Sequence, residues 1–178
     1  SLLKINLSFK SALLKLARDV RRLRASSQNI YQSVRDAFKL CSTDYDESAE
    51  ETRLFYAKLQ NKFYYAVCGT VRDGLLERAD ASKFRMNAIA CLEKYVNKQE
   101  AINGANYLTG DELYLYHIVC EQFLLLIETR VIKEQKTTMS ELINQFDRLL
   151  DVMGYEILTD EKMKPFYKKL GLEHAKNE

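Results

Sequence analysis

Hydrophobic residues recur every three or four positions along most of the chain, which is the spacing of one face of an α-helix. These apolar stripes lie in residues 9–23, 30–41, 54–67, 113–127 and 142–153. The stretch from Leu113 to Ile127 is apolar on nearly every face, as is typical of a helix that others enclose. The pattern predicts an all-α fold, a compact bundle of about six to eight helices around this central helix.

Capping signals support the helical pattern. Ser48–Glu51, Thr109–Glu112 and Thr138–Glu141 each have a hydroxyl residue followed three positions later by Glu, which is the form of a capping box. We expect a further helix from Phe84 to about Lys98, capped by Asp80 or Ser82. Gly69 and Gly154 are the expected stops of two of the helices.

Chain length and composition predict one domain with helical extensions. The chain has 178 residues, of which one is Pro and six are Gly, so little interrupts long helices. We divide it into a basic amphipathic N-terminal helix (1–25), a helical core (26–158) and a basic helical tail (159–178). The first segment is interpreted as a remnant of, or a link to, a missing N-terminal domain.

Positive charge is concentrated near the N-terminus. Residues 1–39 contain nine Lys or Arg against two Asp, whereas the whole chain carries a net charge of only +2. The densest run consists of Arg18, Arg21, Arg22 and Arg24. These residues either neutralise nucleic-acid phosphates or form a solvated helix face that pairs with the acidic connector at Asp44–Glu51.

The cysteine and histidine residues are not spaced like the ligands of a metal site. The four Cys form no C-x-x-C pair, and His117 and His174 are far apart. We therefore expect buried free thiols, no metal and no cofactor. No signal peptide is visible and no apolar stretch is long enough to cross a bilayer, so we expect a cytoplasmic protein without membrane insertion.

Polar candidates for a ligand site cluster in one predicted loop. Arg78, Asp80, Ser82 and Lys83 suit an anion or a hydroxyl-bearing ligand, and they equally suit helix capping with an internal Arg–Asp pair. Asn61, in the middle of a predicted helix, either satisfies a loop backbone or lines a pocket. The remaining candidates are Asn106, before a cap, and Glu128, near the end of the apolar helix.

Several short strings then resemble one family in their order along the chain. They are Asp19–Arg21, Ile30–Gln32, Asp44–Asp46, Gln60–Lys62, Tyr65–Ala66, Arg78–Lys83, Asn106–Leu108, Glu128 and Thr138–Met139. Together they resemble the RhuM-type virulence protein family over about Arg18 to Leu158. The resemblance implies a bacterial intracellular protein linked to virulence or mobile elements, without a defined biochemical activity.

The chain departs from this family pattern at several chemically capable positions. The pattern has Pro and then Met-Gly after Ser-Lys, where this chain has Phe84 to Asn87. A usual His, Lys, acid and Trp are replaced by Tyr64, Ala105, Leu125 and Leu142. If the missing side chains are catalytic in relatives, this copy is inactive or divergent.

Three functions follow as alternatives from the residues and the resemblance. The first is a non-enzymatic interaction or regulatory module with a protein partner, in the bacterial cytoplasm or delivered into a host cell. The second is nucleic-acid binding through the basic N-terminal helix. The third is an enzyme with a site around Arg78–Lys83, which requires the candidate side chains to converge in one pocket. The oligomeric state is left open between monomer and homodimer.

Overall fold

The described part of the chain is built from helices. The computed structural model describes residues 11–12, 15, 27–46, 48, 50–88 and 95–169. Its α-helices are α1 (Ser27–Cys41), α2 (Glu50–Cys68), α3 (Arg72–Leu76), α4 (Lys98–Ala101), α5 (Gly110–Ile132), α6 (Met139–Val152) and α7 (Asp160–Lys169), with 3₁₀ helices at Phe84–Asn87 and Gly104–Tyr107. Within these residues there is no strand, and the all-α prediction is confirmed.

The longest helix, α5, carries most of the core. Helices α1 and α2 both pack against it. The ring centroid of Phe123 lies 5.0 Å from those of Phe38 and Phe146 and 5.8 Å from that of Phe63, and all four side chains are fully buried. The apolar stretch predicted as the central helix therefore joins α1, α2 and α6 around one aromatic cluster, where close packing stabilises the bundle.

The helix ends follow the predicted signals in most places. Thr109–Glu112 and Thr138–Glu141 form complete capping boxes at the starts of α5 and α6. A further box, Asn97–Glu100, starts α4 and was missed. At the predicted box Ser48–Glu51, the Ser48 hydroxyl donates to Asp46, and the Glu51 side chain lies outside the described residues.

Glycines end two helices as expected. α2 ends just before Gly69, with a φ of 72°, and α6 ends two residues before Gly154, with a φ of 81°. Both values lie in the left-handed region, which glycine enters without the steric cost of a Cβ.

The predicted helix from Phe84 to Lys98 is wrong at both described ends. Arg85, Met86 and Asn87 have positive φ values of 50°, 56° and 65°, so the chain makes a left-handed turn after Phe84. The Asp80 N–H donates to the Met86 carbonyl over 3.1 Å, which closes residues 80–86 into a loop instead of starting a helix. In the described residues that follow, Tyr95, Val96 and Asn97 are not helical, and the next helix begins at Lys98. The apolar spacing at the two described ends of this range is therefore not the period of one continuous helix.

Polar contacts tie the end of α1 to the start of α6. The Thr43 N–H donates to the Thr137 carbonyl over 3.0 Å, and the Asp44 carboxylate accepts the Met139 N–H over 2.9 Å. Since Thr137 follows the end of α5 by five residues, the C-terminal end of α1 lies beside the C-terminal end of α5. The two helices therefore run in the same direction.

The N-terminal stripe falls almost entirely outside the described residues. Only Ser11, Ala12 and Lys15 of the first 26 residues are described, and each is helical and exposed. No helix in the described part of the chain is long and apolar enough to cross a membrane.

Candidate functional site: the polar end of the bundle

Arg78 clamps a loop to the start of α5. Its Nη1 and Nη2 donate to the two carboxylate oxygens of Glu112 over 2.5 and 3.0 Å, and Nη1 also donates to the Tyr107 carbonyl over 3.0 Å. We call this set of bonds the Arg78 clamp. The predicted internal Arg–Asp pair is therefore wrong, because Arg78 pairs with Glu112 and not with Asp80. The forked guanidinium matches a carboxylate with two parallel bonds, which fixes its orientation.

Glu112 belongs both to the Arg78 clamp and to the capping box of α5. Its carboxylate accepts the Thr109 N–H over 2.9 Å, and its own N–H donates to the Thr109 hydroxyl over 3.4 Å, completing the capping box of α5. The Arg78 guanidinium, with the Thr109 bonds, lowers the pKa of Glu112, although partial burial opposes this. A carboxylate held in this way is an ionised structural anchor at neutral pH and a poor general base.

The rest of the predicted loop forms an exposed turn. Asp80 Oδ1 accepts both the N–H and the hydroxyl of Ser82, over 2.9 and 2.6 Å, and these bonds lower the pKa of Asp80. Neither residue caps a helix, since the following 3₁₀ helix has no side-chain cap. Asn87 Nδ2 donates to the Arg78 carbonyl over 3.1 Å and so closes the loop from its other side. Lys83 is exposed.

Asn61 and Asn106 also bind backbone groups at this end of the molecule. Asn61 Oδ1 accepts the Arg72 N–H over 3.0 Å at the first residue of α3, so of the two alternatives the side chain satisfies a backbone group, at the start of a helix. Asn106 is 1% exposed and its Nδ2 donates to the Glu100 carbonyl over 2.9 Å. Its Oδ1 has no hydrogen-bond partner among the residues that the structure describes.

Glu128 lies at the opposite end of α5. Sixteen residues separate it from Glu112, which corresponds to about 24 Å along a helix. Its side chain is half-buried. The structure therefore brings Arg78, Asn61 and Asn106 to the same end of the bundle, directs their polar atoms at different backbone groups, and leaves Glu128 apart from them.

A groove of about 520 Å³ lies beside the clamp. Its lining includes Cys68, Asp73, Glu77, Arg78 and Phe166. The Cys68 thiol donates to the Tyr64 carbonyl over 3.0 Å, and burial raises its pKa. Since the thiolate is the reactive form, a protonated and hydrogen-bonded thiol is a poor nucleophile.

Of the remaining predicted candidates, the structure describes some residues and not others. Cys41 and Cys120 are free and buried, as expected, whereas Cys68 is half-buried. No group of three His, Cys, Asp or Glu side chains in the described ranges is arranged to hold a metal ion. The nucleic-acid candidates Arg18, Arg21, Arg22 and Arg24 lie outside the described residues.

Sequence reasoning missed the partners in the clamp. Glu112 was predicted only as a cap, and nothing in the sequence signals its pairing with a residue 34 positions earlier. Asn87 was placed inside a helix. The Asn97–Glu100 cap did have a signal, because Asn is as good an N-cap as Ser or Thr.

The sequence matches the model of one known protein family. That family is described as "Virulence protein RhuM family", and its model matches residues 4–171, nearly the whole chain. The chain belongs to the virulence protein RhuM family. No curated protein and no solved structure is significantly similar to it.

Tyr64 and Ala105, two of the predicted departures from the family pattern, lie close together at the polar end. The Tyr64 hydroxyl lies near the Ala105 backbone, and both residues are buried. The Tyr64 ring stacks on Tyr116 with centroids 5.3 Å apart, and Gln60 donates to its hydroxyl over 2.9 Å. At these two positions the chain has an aromatic ring and a methyl group that belong to the core.

Proposed function

We propose that this RhuM-family chain is a non-enzymatic interaction module linked to virulence, and that residues 79–88 form its contact surface for a protein partner. The observation that carries the proposal is the Arg78 clamp. The guanidinium that was the strongest candidate for binding an anionic ligand is bonded to Glu112 and to the Tyr107 carbonyl. Its charge is used to fix a loop and not to bind a substrate.

The shape of that loop supports a role in binding. Three consecutive residues other than glycine in the left-handed region cost about 1 kcal/mol or more each, and such strain persists where surrounding contacts enforce it, commonly at binding sites. The contacts here are the bond from Asp80 to Met86 and the bond from Asn87 to Arg78. The turn follows directly after Phe84, whose side chain is 81% exposed.

Phe84 has the properties of an interface anchor. A large aromatic side chain on a constrained loop buries much apolar area at little cost in conformational entropy, as energetically dominant interface residues do. Lys83 is exposed beside it, and the Arg85 guanidinium lies 5.0 Å above its ring. The exposed Lys83 charge favours a partner surface with an apolar pocket and an acidic rim.

The filled positions at Tyr64 and Ala105 argue against an enzyme. An enzymatic site needs titratable side chains that reach a common ligand. In this chain the two neighbouring positions contribute a stacked ring and a methyl group. We propose a bacterial cytoplasmic location, with delivery into a host cell as the alternative, and the family description supports the link to virulence.

Quantitative affinity enrichment tests the proposal. The wild-type protein, Phe84→Ala and Val152→Ala are used as baits in lysate of the source cells, with Val152 as the matched control because it is 84% exposed on α6. We expect proteins that the wild type and Val152→Ala retain and that Phe84→Ala loses. Equal enrichment by Phe84→Ala would refute the proposed surface. Turnover of a nucleotide, peptide or nucleic acid that disappears in Arg78→Ala would refute the non-enzymatic function.

Nucleic-acid binding by Arg18, Arg21, Arg22 and Arg24 is the second candidate. The concentration of charge in the first 39 residues favours it. Binding through phosphate contacts weakens steeply as salt rises, because counterions are released. Binding absent at low salt, or unchanged in an Arg21→Ala/Arg22→Ala double variant, would eliminate this candidate.

A further inference from the structure

The C-terminal helix α7 is attached to the bundle through a small apolar cluster. Among the described residues, Val71, Leu158 and Met163 are buried together in a cluster of their own, and Tyr65 and Phe166 pack against it. The main core around α5 is a separate and much larger cluster. Segments that are held by few buried apolar contacts open locally at a lower free energy than the rest of a protein.

The boundary between the two clusters falls within the segment that leads to α7. Residues 155–159 have no regular secondary structure. Tyr155 and Ile157 pack against the main core, whereas Leu158, the next residue, belongs to the small cluster. Separation of the chain after Ile157 therefore leaves the contacts of the main core in place.

Lys62 binds the chain at this boundary through a bond that is lost at little cost. Its Nζ donates to the Leu158 carbonyl over 3.0 Å and to both carboxylate oxygens of Asp147 over 3.0 Å. Asp147 lies on α6, so the ion pair does not depend on the position of α7. When α7 leaves, the two charges keep each other as partners, and opening creates no unpaired buried charge.

The sequence of α7 forms only a weak helix by itself. The helix has 10 residues, and isolated helices shorter than about 12–15 residues are marginal in water. Pro165 lies inside it and has no N–H to give to a helical hydrogen bond. The helix therefore depends on its docking, and undocking and unfolding of α7 occur together.

Grooves lie on both sides of the docked helix. The groove of about 520 Å³ beside the Arg78 clamp has Phe166 in its wall, and a second groove of about 390 Å³ has Met163 in its wall. Met163 and Phe166 are three residues apart, so they lie on the same face of α7. The contact that this face makes is open at both sides, which limits the apolar area that docking buries.

We propose that α7 is a detachable strap, which undocks after Ile157 as one unit while the main core stays folded. Undocking uncovers Tyr65 and Val71 and merges the two grooves into one opening along α2. Val71 is only 1% exposed while α7 is docked. α7 thus acts as an autoinhibitory cover over this apolar strip, and the proposal is independent of the contact surface at residues 79–88.

Residue-resolved hydrogen exchange of the native full chain tests the strap. We expect the amides of Met163 and Phe166 to exchange about 100-fold faster than amides in the middle of α5, because local opening needs less free energy than global unfolding. Met163→Ala removes a buried side chain from the small cluster and should accelerate the α7 amides about tenfold. Met153→Ala is the matched control, because Met153 is 44% exposed at the end of α6, and it should change neither set of amides.

A variant in the main core separates local opening from global unfolding. Phe123→Leu weakens the core equally in the docked and the undocked state, so it should accelerate the α5 amides about tenfold and leave the α7 amides unchanged. Equal acceleration of both sets in Phe123→Leu would overturn the proposal, because α7 would then open only when the whole molecule unfolds. Unchanged α7 amides in Met163→Ala would overturn it as well, because the small cluster would not be what holds α7.

Thiol labelling tests whether undocking uncovers the strip. Val71→Cys is introduced into the wild type, Met163→Ala and Phe123→Leu, and its reaction with a maleimide is followed by peptide mass spectrometry. We expect labelling at this position to be about tenfold faster with Met163→Ala and unchanged with Phe123→Leu, since reaction follows the open population. Val152→Cys, at a position that is 84% exposed on α6, should react at one rate in all three backgrounds. Labelling of Val71→Cys at one rate in all three would contradict the cover.

Discussion

The aromatic core and the polar end of this molecule are held together in different ways. In the core, Phe38, Phe63, Phe123 and Phe146 meet through non-directional packing. At the polar end, Arg78 and its neighbours bind backbone groups and a carboxylate at fixed angles. Packing tolerates other apolar side chains of similar volume, whereas a directional bond requires particular atoms in particular places. The core therefore provides most of the stability, and the polar end fixes the conformation of one loop.

The largest expected effect is in the core. Phe123→Ala removes a ring that contacts three other buried rings, so we expect the free energy of unfolding to fall by about 3–5 kcal/mol. Urea unfolding followed by circular dichroism measures this. Val152→Ala, at an exposed position, should change it by less than about 0.5 kcal/mol. A loss of less than about 0.5 kcal/mol in Phe123→Ala would contradict the central place of the aromatic cluster in the fold.

Loss of the clamp should have the next largest effect. Arg78→Ala breaks bonds to a charged partner, so we expect a loss of about 1–3 kcal/mol in the free energy of unfolding. Arg78→Lys keeps the positive charge but loses the forked guanidinium, so its free energy of unfolding should lie between those of the wild type and Arg78→Ala. In a double-mutant cycle with Glu112→Gln the two effects should not add. If the two losses of stability added fully, the interaction between Arg78 and Glu112 would contribute nothing to stability.

The left-handed turn predicts an unusual order of substitutions at Asn87. Both Asn87→Ala and Asn87→Gly remove the bond to the Arg78 carbonyl, but only alanine meets the steric cost of a φ of 65°. We expect Asn87→Gly to be more stable than Asn87→Ala by about 1 kcal/mol in thermal unfolding, the reverse of the order in an α-helix. Greater stability of the alanine variant would contradict the turn.

The smallest expected effect is a dependence of the free energy of unfolding on pH in the acidic range. The Arg78 guanidinium lowers the pKa of Glu112 below its ordinary value. A lowered folded-state pKa contributes stability that is present above the unfolded pKa and is lost as the pH falls through the folded pKa. We therefore expect the difference in stability between wild type and Glu112→Gln to shrink as the pH falls below about 4.3, the pKa of glutamate in an unfolded chain. A constant difference from pH 7 to pH 3 would contradict the ionised pair.

The same contrast explains what could be predicted from the sequence. The stripe at Val34 and Phe38, the apolar stretch of α5 and the Thr109 and Thr138 caps follow local periodicity and spacing, and all are found. The bond from Arg78 to Glu112 joins distant positions, and no local pattern signals it. The turn after Phe84 depends on the contacts that close the loop, which override the helix propensity of its residues. For Asn61 the sequence left a backbone partner and a pocket lining open as alternatives, and the structure gives it a backbone partner, since Asn in mid-helix needs a polar partner.

Hydrogen exchange at the Asp80 amide tests the central claim most directly, since its bond to the Met86 carbonyl exists only while the loop is closed. We predict that this amide exchanges about tenfold faster in Arg78→Ala than in wild type, while amides in the middle of α5 change only as far as global stability requires. Unchanged exchange at Asp80 in Arg78→Ala would contradict the account, because it would mean that the loop keeps its conformation without the clamp.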